Sequence, residues 1–150
     1  MVDSRQKGAR AESAFKDILK KHTGLQFERV PGSGALDPKH KLKGDLYIVD
    51  SSNRYCIEVK HYCDDHLTSK ILTSKNPQLL EWWEQCERQG RQVDREPLLL
   101  YKFDRSKCFV AFKKEPTQMY DYLTISIGDY FFYTCLLEDW LKHEKPEFTI

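Results

Sequence analysis

Gly44-Asp45-Leu46-Tyr47-Ile48-Val49, then Ser51-Ser52-Asn53, then Tyr55-Cys56-Ile57-Glu58-Val59-Lys60 reads as strand, turn and strand, and it decides what the rest of the chain can be. Glu58 and Lys60 stand at i and i+2, so their side chains leave one face of an extended strand. Asp45, at the head of the preceding strand, comes to the same end of the hairpin. Two carboxylates beside a lysine can hold Mg²⁺, with Mn²⁺ as a substitute, and activate a water for phosphodiester hydrolysis. Asp45, Glu58 and the Val59 carbonyl are the candidate ligands, because hard cations take oxygen donors. Lys60 can orient or deprotonate the water, or stabilise charge on the phosphate.

Elements of both kinds extend outward from this hairpin. Residues 4–22 read as an amphipathic helix with Ala11, Ala14, Phe15, Ile18 and Leu19 on one stripe and Glu12 at its border. Ser4 can cap it and Gly24 stop it. Residues 25–30 alternate like a strand. Pro31-Gly32-Ser33-Gly34-Ala35 and the basic run Lys39-His40-Lys41-Leu42-Lys43 form a loop. Asn76-Pro77 opens a second helix, with Leu79, Leu80, Trp83 and Cys86 on one side and Gly90 as its terminator. Residues 97–101 and 108–112 are apolar strands joined across Asp104-Arg105-Ser106-Lys107, and 123–127 a short strand. A terminal helix is expected from Gly128-Asp129 to about His143, with Asp129 as its N-cap. The order predicts one α/β domain with a mixed central sheet and helices on both faces. Its core spans about 5–114, and 116–150 is an extension carrying an extra strand and helix.

Composition excludes several classes. With 40% hydrophobic and 31% charged residues among 150, the chain is neither disordered nor membrane-embedded. The first residues lack the apolar stretch of a signal peptide, so cytoplasmic residence is expected. Five cysteines without a C-x-x-C pair suit neither a disulfide framework nor a structural zinc site. His61, Cys63, Asp64, Asp65 and His66 likewise match no common zinc spacing. Trp82-Trp83, Phe131-Phe132-Tyr133 and Trp140 read as core or interface filling at helical spacing rather than as base-stacking platforms. The net charge of +1 hides an asymmetry. Residues 1–43 carry ten Lys and Arg against five Asp and Glu, whereas residues 115–150 carry two against seven. A basic N-terminal third can face phosphate.

Glu12 in the first helix, Asp45 at the head of a strand and Glu58-Val59-Lys60 in the next resemble the PD-(D/E)XK nuclease pattern. The likeness is nearest to archaeal-type Holliday junction resolvases, through Lys7-Gly8-Ala9-Arg10-Ala11-Glu12, the Pro31–Ala35 loop and Gln78 near the start of the following helix. One departure is that Asp45 follows Gly44, where many members have proline. The resemblance implies a restriction-endonuclease-like fold. It makes Glu12 a helix-borne acid able to complete the metal shell, and gives Ser33 and Gln78 a part in cleavage. It also implies paired nicks in four-way DNA junctions. Two cuts on opposing strands call for a C₂ homodimer, with a seam expected on the Trp82-Trp83 helix or the C-terminal helix.

Arg5, Lys7, Arg10, Arg29, Lys39, His40, Lys41 and Lys43 are the expected phosphate contacts, joined by Ser33, whose Gly-Ser-Gly setting leaves backbone N–H groups and a hydroxyl accessible. Other substrates for the same metal site are restriction-like, nicking or end-processing ones. A non-catalytic DNA-binding module on this fold would carry a broken triad, and Asp45, Glu58 and Lys60 are all present.

Overall fold

The computed structural model describes residues 4–31 and 43–150, with side chains of the first helix from Arg10 onward. One seven-stranded sheet runs through it: β1 (Phe27–Arg29), β2 (Leu46–Ile48), β3 (Tyr55–Tyr62), β4 (Glu96–Phe103), β5 (Phe109–Phe112), β6 (Leu123–Ile127) and β7 (Tyr130–Leu136), in the order β1-β2-β3-β4-β5-β7-β6. Only β3 and β4 are parallel, in register from Tyr55↔Glu96 to Tyr62↔Phe103. Their crossover carries α2 (Lys70–Thr73) and α3 (Gln78–Gln92), as a parallel pair requires.

Helices cover both faces. α1 (Ser4–Thr23) lays Ala11, Phe15 and Leu19 over Phe27, Leu46, Ile57, Leu98 and Leu100. α3 sets Leu79, Leu80, Trp83 and Cys86 over Leu99, Tyr101, Ala111 and Phe132. β4 is buried on both sides from Pro97 to Tyr101, and that stretch is therefore an unbroken apolar run. The sequence-derived α/β sandwich is the observed architecture, and it is restriction-endonuclease-like. Gly24, at φ +73°, ends α1 as expected, its N–H donating to the Lys20 carbonyl. The proposed Ser4 cap falls on a side chain outside those described.

Three expectations need correction. α3 passes through Gly90 to Gln92, and Pro77 rather than Asn76 stands at its cap. Gly90 is needed for close approach, since a Cβ there would meet the Arg95 carbonyl oxygen at 2.6 Å. The expected terminal helix is mostly β7. Gly128-Asp129 is a hairpin turn closing the Ile127↔Tyr130 pair, and helix appears only as α4 (Leu137–Asp139), running on as a π-helical turn at Trp140–Glu144. Trp82 and Trp83 are only 2% and 0% exposed, and Leu137, Trp140 and Leu141 are buried beside α1. The tryptophan helix and α4 therefore offer no apolar seam through these residues.

The C-terminal segment is part of the sheet and its core. Phe148 packs edge-on against Phe27 and Tyr55. Thr149 bridges Asn53, and the Arg54 N–H donates to the Phe148 carbonyl.

Candidate active site

Asp45 is fixed by its backbone before its side chain acts. Its carbonyl accepts the Val30 N–H at 2.8 Å and its own N–H donates to the Ile57 carbonyl at 2.6 Å. That close approach explains the departure at Gly44. The residue sits at φ +87°, and a Cβ would lie 2.5 Å from the Ile57 oxygen, so glycine is required and proline excluded. One Asp45 carboxylate oxygen, Oδ2, then accepts the Val59 N–H at 2.7 Å. This bond takes up a β3 donor and aims the carboxylate at the strand centre.

Glu58 is a buried charge-bearing residue, 4% exposed, facing Asp45 across a side-chain hydrogen bond. Burial, then the Asp45 charge and that hydrogen bond, push its carboxyl up to about 8, against the opposing pull of Lys60. The Glu58 carboxyl therefore keeps its proton at neutral pH. Lys60 is half-buried and pairs with Tyr101 on β4, where Glu58 pairs with Leu99, so both side chains leave the α3 face of the strand.

Glu12, on α1, feels the charge of Asp45. Its carboxylate meets the Arg29 guanidinium at 3.4 Å. Burial raises its carboxyl most, Arg29 opposes, and the Asp45 charge raises it further, so Glu12 and Asp45 lie in one electrostatic field. Among the described residues no set of three His, Cys, Asp or Glu side chains closes on a single point. The tight unit is the Asp45–Glu58 pair. Its chemistry fits a divalent cation, because two touching carboxylates, one of them buried, gain most from a charge that replaces the Glu58 proton.

The other predicted residues distribute unevenly. Gln78 opens α3 half-buried and lines a cleft of about 470 Å³ with Asp65, His66 and Asn76. Arg10 is exposed, Lys43 half-buried, and Arg29 is engaged with Glu12. Arg5 and Lys7 belong to α1, but their side chains lie outside those described. Ser33, Lys39, His40 and Lys41 lie outside the described residues altogether. In the 61–66 segment His61 Nε2 contacts Asp104 at 3.0 Å, and Asp65 accepts the Leu67 N–H.

Two residues escaped the sequence reading. Asn53 looked like an ordinary turn residue, yet its buried amide accepts the Ile48 N–H and donates to the Ile48 and Ser51 carbonyls, locking the β2–β3 turn. Tyr62 falls beyond the strand expected from Tyr55 to Lys60, but β3 continues through it. The alternation Glu58, Lys60, Tyr62 was the available signal.

Two carboxylates and a lysine thus stand at the centre of a mixed α/β/α sheet. Residues 3–148 match the profile of the family described as "Phage putative PDDEXK endonuclease", and the chain belongs to that family, a group of PD-(D/E)XK nucleases. Among individual proteins it is similar to Protein D14 of Escherichia phage T5, with 38% identity over 154 residues, spanning 97% of this chain and 96% of D14.

Proposed function

We propose that this nuclease is a Mg²⁺-dependent, structure-selective DNA endonuclease, and that its substrate is branched DNA, foremost the four-way junction. The Asp45–Glu58 contact beside Lys60 carries the reading. Asp45, Glu58 and the Val59 carbonyl would hold the metal, with Glu12 reaching it directly or through water. Bound there, Mg²⁺ or Mn²⁺ supplies an activated water and neutralises charge on the phosphate.

The chain's own groups do the rest. Burial keeps bulk water from the Glu58 carboxyl, so it releases its proton only to a stronger competitor. Lys60 presents its ammonium to the scissile phosphate from the Glu58 face and orients the attacking water. Ser33 and Gln78 flank the phosphodiester. Arg5, Lys7, Arg10, Arg29, Lys39, His40, Lys41 and Lys43 supply backbone contacts that position DNA without reading sequence. Paired nicks imply a homodimer with two sites. Among the described residues no helix is long and apolar enough to cross a membrane.

The test offers purified protein and Mg²⁺ a synthetic four-way junction, a flap, a nicked duplex and a linear duplex. Symmetrical nicks near the branch point are expected, lost in Glu58→Ala and Lys60→Ala. Equal cutting of all four substrates removes the junction reading and leaves a general nuclease. A monomer at micromolar concentration with junction DNA removes paired resolution.

A further inference from the structure

β3 does not stop at the lysine. It runs to Tyr62, which pairs with Phe103 as Glu58 pairs with Leu99 and Lys60 with Tyr101. Glu58, Lys60 and Tyr62 thus form one line on one face, the last two about 6.6 Å apart along the strand. Glu58 is buried and Lys60 half-buried, whereas Tyr62 is 44% exposed, an aromatic ring at the open end of the row.

That ring is held from behind. It lies on Trp82 at 4.9 Å between centroids with planes 33° apart, and His66 meets it edge-on at 6.2 Å. Trp82 in turn is buried, packed on Tyr101 and against the edge of His66. The contacts that hold the ring are therefore aromatic ones. A flat, rigid, half-open aromatic beside a phosphate-cutting centre is suited to stacking on a nucleobase, because every base has a π-face and a fixed ring loses little entropy. A base inside a paired duplex is already stacked on both sides. Only a base unpaired next to the cut can use the platform.

We propose that Tyr62 is a base-stacking platform that selects DNA with an unpaired nucleotide beside the scissile phosphate, an inference that rests on the nuclease reading of Asp45, Glu58 and Lys60. Junction centres, flaps and splayed arms all present such a base. Trp82 and His66 position the ring and do not touch DNA.

The experiment measures binding of the full chain, with Ca²⁺ in place of Mg²⁺, to a splayed-arm duplex and to its fully paired counterpart across a salt series. Wild-type protein is expected to prefer the splayed arm. Tyr62→Ala loses about tenfold on it, within the range for one stacked base, and keeps its duplex affinity. The slope of log affinity against log salt stays unchanged, since stacking releases no counterions. Tyr62→Phe and Tyr62→Trp retain the preference, because both keep an aromatic ring. A Tyr62→Ala protein that binds both DNAs as wild type does overturns the proposal. So does equal loss on both, a changed salt slope, or a Tyr62→Phe protein that fails alongside it. Cleavage by wild-type protein is scored separately: no metal-dependent cutting of any DNA sinks the nuclease reading, whatever the binding shows.

Discussion

The β2–β3 and β6–β7 hairpins hold together in different ways. β6–β7 is specified by itself, with five antiparallel pairs from Leu123↔Thr134 to Ile127↔Tyr130 and a glycine at φ +56° opening its two-residue turn. Its buried polar residue, Thr134, is satisfied by Tyr101 at 2.5 Å and the Val110 carbonyl at 2.9 Å. β2–β3 pairs directly only at Leu46↔Ile57, relies on the Asn53 amide for its turn, and buries Glu58 against Asp45. The hairpin carrying the candidate site is the poorly self-supported one, and it is braced by α1, β4 and the C-terminal residues. Stability is placed around the site rather than in it.

The sharpest way to break this contrast is to remove the carboxylates. Glu58→Ala or Asp45→Ala should lower cleavage by about 10³-fold or more, as loss of a metal-holding group does. DNA binding in gel-shift assays should persist. On the supporting side, Trp83 is fully buried and stacked on Phe132 at 4.6 Å. Trp83→Ala should cost about 3–5 kcal/mol in urea unfolding, a loss carried by the scaffold rather than the site. Asn53→Ala strands the Ile48 N–H and should cost about 2 kcal/mol while also lowering activity. An unchanged unfolding midpoint would show that the β2–β3 turn needs no clamp.

Glu58→Gln should act in the opposite direction. The folded protein keeps the Glu58 proton up to about pH 8, whereas an unfolded glutamate near its model value of 4.5 has lost it. Stability therefore falls as pH rises through that window, and the amide removes the fall. Glu58→Gln should be more stable than wild type at pH 9 and equal to it at pH 4. Equal melting temperatures at both pH values would deny that the buried charge destabilises the site. The smallest effect belongs to the other hairpin. Leu123 is 54% exposed on the edge strand, and Leu123→Lys should stay within about 0.5 kcal/mol of wild type.

The same contrast explains what could be read in advance. The candidate site could be proposed from the sequence because its residues sit at short, strand-spaced intervals, Asp45 then Glu58-x-Lys60, inside an alternating pattern that the fold preserves. The Asp45–Glu58 contact itself could not, since it depends on a hydrogen bond from the Val59 N–H and on Gly44 grazing Ile57. Tyr130–Leu136 was misread because an apolar aromatic run after Gly-Asp suits a helix start and a hairpin equally, and its pairing with β5 and β6 decides. Gly90 was misread because a glycine at a helix end signals a stop, while here it admits the returning backbone at Arg95.

The bracing of β2–β3 by the C-terminal residues has a consequence in time. Arg54 follows the β2–β3 turn, and its guanidinium donates to the Glu147 carbonyl, 93 residues further along the chain. At about 5–20 residues per second that partner leaves the ribosome roughly 5–20 s after Arg54 does. Through that interval the hairpin bearing both carboxylates lacks one of its walls, so the candidate site is among the last parts of the nascent protein to be completed.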